Sequence, residues 1–452
     1  MARARSKRKT TAQPVLLRRL RDHFGGDPAT LPVVEQHFAL YERANLHLAM
    51  EEVLAEPKRH SELVGVVALE EYGVASLPRL SRAASARRFD QGPVEYVDAR
   101  LPGDQHLACV KHGLYLVRDH DQPLAVLLTQ PQHAWPAQLV VEVMAPQREL
   151  AEEFLRPLTR RTQHGKAFRG HILSVDQDCH GQLQVQFHRL PAIRRDELIL
   201  PEELLRRIER HTLSFSRHAE TLRSAGRHLK RGILLHGPPG TGKTLSAMYL
   251  VSQMPGRTVL ILTGAGMNSI ETACKLARLM APATLILEDV DLIGTQRHQQ
   301  TVDANALLFE LLNQMDGLAD DADILFLLTT NRPDILEPAL ASRPGRIDQA
   351  IEVPQPDVEC RRRLFALYGR GLQLELADWD RLIERTAGVS GAFIRELLRK
   401  AAIFAAEENG GSPLVVRDRH IEEGLTELLI AGGPLTQSLL GASCSPPPGD
   451  AS

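Results

Sequence analysis

This sequence predicts an α/β fold: a three-layer α/β/α core built on a parallel sheet, closed by a C-terminal helical lid and preceded by a helical and then a mixed α/β N-terminal region. Three patterns predict it. After Pro201, apolar runs of strand length such as Gly232 to His236 and Ile324 to Leu328 alternate with amphipathic helical segments, the signature of a parallel sheet buried on both faces. One of those runs enters a glycine-rich loop that opens directly into a helical segment. From about Asp357 to Ile430 the strand-like runs stop and helical segments follow one another, which reads as a lid.

The chain has 452 residues, and domains usually hold roughly 100–200, so several are expected. With 43% apolar residues, 24% charged residues and a formal net charge of −2, the composition is that of a globular protein. Bulk charge points to neither nucleic acid nor membrane as a partner. The cysteines Cys109, Cys179, Cys274, Cys360 and Cys444 stand far apart, which excludes paired zinc or redox motifs and fits a reducing, cytoplasmic compartment. No apolar run approaches the roughly 20 residues that span a bilayer, and MARARSKRK is followed by polar residues instead of the apolar segment of a secretory signal.

Residues 1–13 are basic and polar, and residues 432–452 are rich in Gly, Ser and Pro, so both are expected to be disordered tails. Apolar residues at helical spacing (Leu16, Leu17, Leu20, Phe24, later Leu46, Met50, Val53) predict a helical region over 14–90. Over 91–195 the period shortens, and VEYVDARL, HLACVKHGLYLVRD, PLAVLLTQ, AQLVVEVMA, GHILSVDQD and LQVQFHRL read as strands of a mixed α/β domain, with a helix from Gln147 to Thr162. Asp119, His120 and Asp121 are of metal-ligating type, but between two strands they read first as a hairpin turn. Arg160, Arg161, Lys166 and Arg169 form a basic cluster that reads first as a solvated helix end and second as a site for an anionic partner. The core is expected over 196–356 and the lid over 357–431.

The chemistry concentrates in the core. Gly237, Pro238, Pro239, Gly240, Thr241, Gly242, Lys243 and Thr244, followed by Leu245, form a Gly-x-x-x-x-Gly-Lys-Thr loop between a strand and a helix. Glycines let the backbone amides approach phosphate oxygens, the helix N-terminus adds partial positive charge, Lys243 adds a full one, and the Thr244 hydroxyl suits Mg2+. The ligand chemistry is therefore a polyphosphate, as of a nucleoside triphosphate, with Mg2+. The run TLILEDVD then delivers Glu288 and Asp289 at a strand end, one to hold magnesium through water and one to orient and deprotonate an attacking water. Asn331, ending ILFLLTTN, is placed to hydrogen-bond the same water, and Arg343 and Arg346 in ASRPGRIDQ are spaced to aim two guanidiniums at one anion.

Taken in order, GPPGTGKT, LILEDVD, LLNQMDGL, LLTTNRPDILEPAL, SRPGRIDQ and VSGAFIRELLRKAA resemble the AAA ATPases, including FtsH and the proteasomal ATPases, over roughly residues 200–430. The resemblance implies a homo-oligomeric ring, typically a hexamer, in which ATP hydrolysis remodels a protein client. It implies that Lys243 and Thr244 belong to Walker A, Glu288 and Asp289 to Walker B and Asn331 to sensor 1. Arg343 and Arg346 become fingers reaching a neighbouring subunit, Asp316, Gly317 and Leu318 an inter-subunit signalling motif, and Gly391 with Ala392 the sensor 2 region.

Three departures qualify what carries over. The family usually reads Asp-Glu where this chain reads Glu288-Asp289, an inversion it shares with AAA proteins of mitochondrial respiratory-complex assembly. LTGAGMNSIETACK lacks the aromatic pore-loop residue that grips threaded polypeptide, leaving only Met267 as a substitute. There is neither a membrane segment nor a His-Glu-x-x-His zinc motif, so the FtsH protease activity does not carry over. Two readings follow: an ATP hydrolase that remodels a protein client, or an ATP-switched scaffold that hydrolyses slowly or not at all. A nucleic-acid motor would rest on the basic segments alone.

Overall fold

The computed structural model describes residues 13–69, 74–131, 138–177, 183–263, 269–291, 304–317, 322–334, 346–410 and 413–431. They form two compact units, one built from residues up to Arg169 together with Asp178–Phe187, the other from Gly170–Gln177 and the chain from His188 onward. The expected tails, apart from residue 13, and the loop carrying Met267 lie outside the described residues.

The first unit is a sheet of β1 (Val33–Ala39), β2 (Arg59–Ala68), β3 (Phe89–Gly92), β4 (Glu95–Leu101), β5 (Gln105–Asp119), β6 (Gln122–Thr129) and β7 (Gln138–Met144). The order is β1-β7-β6-β5-β2-β3, with β4 also beside β5, and every pairing is antiparallel. Alternate residues of the central strands feed two cores. Tyr115, Val117, Val126, Val141 and Val143 pack with helices Arg43–Leu54 and Arg148–Gln163. Leu114, Leu116, Ala125 and Leu127 pack with helix Val15–Phe24 and the short helix at Leu77. Both sheet faces are thus covered, which is why β5–β7 read as near-continuous apolar runs.

This corrects the expectation of a separate helical region over 14–90. That stretch contains β1, β2 and β3, whose partners β7 and β5 bind it into one unit with the strands that follow. The turn between β5 and β6 is a two-residue hairpin with His120 and Asp121 at φ 48° and 67°, and Asp119 is held by Arg59, so DHD is a turn as expected. Among the described residues no group of three or more His, Cys, Asp or Glu is arranged to hold a metal ion.

In the second unit, β8 (Ile172–Gln177), β10 (Arg231–His236), β11 (Thr258–Leu262), β12 (Ala283–Leu287), β13 (Ile324–Thr330) and β14 (Gln349–Glu352) run parallel in the order β14-β10-β13-β12-β11-β8; β9 (Leu183–His188) lies, but for His188, in the segment that belongs to the first unit. Ile233, Leu235, Val259, Ile261 and Leu327 face a core shared with helix Lys243–Ser252. The alternate residues Leu234, Leu260, Leu285 and Phe326 are equally buried, so both faces are covered and the predicted parallel α/β fold is observed. The expected boundary at 195/196 is corrected. β8 pairs with β11, and Ile193 and Leu198 sit in the same core, so this unit takes in segments assigned by sequence to the N-terminal domain. The lid has its own core around Phe365, Phe393 and Leu397. It also contains a parallel strand pair, β15 (Leu372–Glu375) with β16 (Leu414–Arg417), where only helices were expected. No described helix is long and apolar enough to cross a membrane.

Candidate active site

The glycine-rich loop follows β10 directly, and Gly242 is the cap from which helix Lys243–Ser252 starts. Gly237, Gly240 and Gly242 have φ of 142°, 73° and 102°, the left-handed region where a side chain is strained. Two of them also admit close neighbours: a Cβ on Gly237 would lie 2.3 Å from the Val353 carbonyl oxygen, and one on Gly240 2.6 Å from Ser390 Oγ and 2.8 Å from Ala392 Cβ. The second contact joins loop to lid, because the Ala392 amide donates to the Gly240 carbonyl at 3.2 Å. Gly391 and Ala392 lie at the start of lid helix Gly391–Asn409, capped by the Ser390 hydroxyl. Pro239 lies in the same turn, and the Thr241 hydroxyl donates to Pro238 O at 2.9 Å.

Lys243 is buried, and its ammonium donates to the loop carbonyls of Gly237 at 2.8 Å and Pro238 at 2.7 Å. Burial lowers its pKa, while Asp289 and Asp291 oppose the shift. The cation is thus held inside the loop by neutral acceptors that a phosphate oxygen, bearing full charge, would outcompete.

Glu288 and Asp289 lie just beyond β12. Glu288 is raised above the usual carboxylate range by burial and by the neighbouring Asp289, against a hydrogen bond from Thr244. One of its oxygens, Oε1, is buried with no protein hydrogen-bond partner. A buried carboxylate oxygen without a donor, on a group bonded to the Thr244 hydroxyl, is the donor set a hard divalent cation takes, so these residues fit Mg2+.

Asp289 is one of few non-glycine residues with positive φ, at 47°, a conformation that costs on the order of 1–3 kcal/mol. Its amide donates to Thr329 Oγ1 at 3.0 Å, and its Oδ1 accepts from Asn331 Nδ2 at 3.1 Å. The left-handed turn brings the shorter carboxylate of the inverted pair onto Asn331 without a register slip in β12. Burial and then Asp291 raise the Asp289 pKa, with Lys243 and Asn331 opposing.

Sequence reasoning missed Asp291. It is buried and accepts from Thr330 Oγ1 at 2.7 Å and from the Asn331 amide at 3.1 Å, tying the end of β13 to the acidic turn. The available signal was an aspartate two residues past Asp289 facing the run Thr329-Thr330-Asn331. Also missed was a cleft beside the loop, lined by Leu198, Ile199, Leu200, Gly240, Leu245 and Tyr368, which leaves no polar signature to read.

Arg346 is not brought to this site. Arg346 pairs with Asp316 of its own chain, its Nε 2.5 Å from Oδ1, and Arg343 and Leu318 lie outside the described residues. Gly317 follows Asp316 at the end of helix Ala304–Asp316.

The sequence profile of the ATPase family associated with various cellular activities (AAA) matches residues 233–355, from β10 through β14. This stretch of the chain is an AAA module. The chain is 34% identical over 204 residues to the proteasome-activating nucleotidase of Pyrococcus horikoshii, covering 42% of this chain and 51% of that one. It is 33% identical over 240 residues to the ATP-dependent zinc metalloprotease FtsH of Rhodococcus erythropolis, covering 50% and 27%, and 33% identical over 236 residues to FtsH of Mycobacterium tuberculosis, covering 49% and 30%. The chain spans about half or less of the length of these relatives.

Proposed function

We propose that this AAA protein hydrolyses ATP and, as a homo-oligomeric ring, couples turnover to remodelling a protein client. The observation that carries the hydrolytic reading is the hydrogen bond between Asn331 and Asp289 beside the buried Lys243. The loop amides, Gly242 at the helix start and Lys243 would hold the triphosphate, Leu245 and the Leu198–Leu200 cleft would receive the base, and Thr244 with Glu288 would hold Mg2+. The metal would neutralise charge on the phosphates. Asp289 would take a proton from the attacking water while Asn331 fixes the carboxylate. Arg346, released from Asp316, and Arg343 would serve a neighbour's nucleotide.

The residue match to protein-handling relatives supports a protein client, and a cytoplasmic setting fits the thiols Cys109, Cys274 and Cys360, all free and buried. The inverted Glu288-Asp289 order favours a second reading, a nucleotide-switched scaffold with slow turnover. Steady-state phosphate release separates them: Mg2+-dependent turnover lost in Lys243→Ala and Asp289→Asn supports hydrolysis, whereas tight ATP binding without turnover in the unaltered chain supports the switch. Capture with Asp289→Asn, which should keep ATP and hold its client, tests the remodelling step.

A further inference from the structure

In the first unit, helices Arg43–Leu54 and Arg148–Gln163 lie side by side on one face of the sheet. Between them opens a cavity of about 550 Å³, within the range of sites that take organic ligands. Its floor is aliphatic, with Leu48, Ala49 and Pro157, and its rim carries Arg156, Arg160, Arg161 and Lys166 against one carboxylate, Glu52.

These cations are not equivalent. Lys166 pairs with Glu52 at 2.5 Å and Arg161 with Glu56 at 2.7 Å, so two members of the basic cluster are neutralised inside the unit. Arg156 and Arg160 are exposed and make no ion pair among the described residues. With His164 they recur every fourth residue along the same helix edge, all three lining the cavity. Eight residues at 1.5 Å rise make a stripe about 12 Å long, close to the span of two successive same-face steps of an extended peptide at roughly 6.6 Å each.

We propose that this cavity binds an acidic segment of a protein partner, its carboxylates on Arg156 and Arg160 and an intervening apolar side chain on the Leu48–Pro157 floor. Single-stranded nucleic acid fits less well, because no Phe, Tyr or Trp lines the cavity to stack a base and Glu52 would oppose a phosphate chain. The proposal rests on the client reading above only in taking the acidic segment to be part of the client; the binding itself needs no nucleotide.

The test uses the full chain, without nucleotide, and a fluorescent peptide of about 12 residues alternating Glu or Asp with Leu, read by anisotropy. Binding in the micromolar range is expected, weakening several-fold as salt rises from about 0.05 to 0.3 M because the paired charges sit at the rim. Arg156→Glu with Arg160→Glu should weaken it more than tenfold, and Arg160→Gln alone by a smaller factor, with circular dichroism and phosphate release unchanged. No binding near 1 mM, or a charge reversal that shifts affinity less than about twofold in a folded chain, overturns the proposal. So does tighter binding, at the same arginines, of an oligonucleotide, of citrate or of vesicles rich in anionic lipid. Because Lys243→Ala should bind the peptide normally, failure of the ATPase reading and failure of this one are read on separate instruments.

Discussion

The two units solve the same packing problem with opposite topologies, and only one of them announces its chemistry. Each has a central sheet buried on both faces by helices. In the AAA unit the strands are parallel, so each must be followed by a crossover, and their C-terminal ends gather the loop, Asp289 and Asn331 at one edge. In the N-terminal unit the strands are antiparallel, and β5 reverses into β6 through the short turn His120-Asp121, so neighbouring strands end at opposite edges instead of gathering their C-termini at one. Topology gathers the candidate chemistry in one, and the other carries the cavity proposed above as a docking site.

The sharpest way to break that contrast is to remove the acidic turn. Asp289→Asn should lower turnover by about 10²–10⁴, the usual contribution of a positioned general base, while leaving ATP affinity nearly intact. Because burial and Asp291 both raise the Asp289 pKa, the acid limb of the kcat/KM profile should lie above the roughly 3.9 of a free aspartate. An acid limb at or below that value would remove Asp289 from the role of base.

Asn331→Ala comes next. It deletes the 3.1 Å bond to Asp289, and hydrogen bonds to charged groups contribute about 1.5–3 kcal/mol, so turnover should drop roughly 10- to 100-fold. A larger part of the loss should fall on kcat than on KM; a pure KM effect would mean that Asn331 only helps bind nucleotide. Arg346→Ala should remove turnover with ATP affinity preserved, and mixing it with Lys243→Ala subunits should restore part of it if the residue acts across subunits. The Asp316 ion pair it also breaks is half-exposed, and such pairs rarely exceed about 1 kcal/mol, so a large loss of thermal stability instead of turnover would mark Arg346 as structural.

The same contrast explains what was legible in the sequence. Gly237–Thr244, Glu288, Asp289 and Asn331 stand out as candidates because phosphate chemistry restricts residue type at fixed spacing, and the strand β10 before the loop is a local pattern. β1 and β2 could not. VVEQHFA and RHSELVGVVA mix polar and apolar residues, and what makes them strands is pairing with β7 and β5 far along the chain, a non-local term that local periodicity does not carry. β8 was recognised as a strand but assigned to the wrong unit for the same reason, since Ile172 finds its partner at Val259. The positive φ of Asp289 is likewise invisible in the sequence, because the hydrogen bonds that accompany it come from Thr329 and Asn331, at the end of β13 some forty residues away.

The smallest expected effect tests whether the N-terminal sheet is truly sealed on both faces. Glu142, in β7, is buried and accepts the Leu77 amide at 2.5 Å, and burial raises its pKa to about 7. In the unfolded chain the same carboxyl titrates near 4.5. Between those values the folded protein keeps a proton that the unfolded chain has lost, so stability is fully present below about 4.5 and declines as pH rises toward 7. Glu142→Gln keeps an acceptor for Leu77 but cannot titrate. Melting curves of the variant and the unaltered chain, taken from about pH 5 to 8, should therefore coincide at the acid end and separate by a few degrees at the neutral end, the variant being the more stable. Parallel curves across the range would mean that water reaches Glu142 and that the face under Leu77 is open.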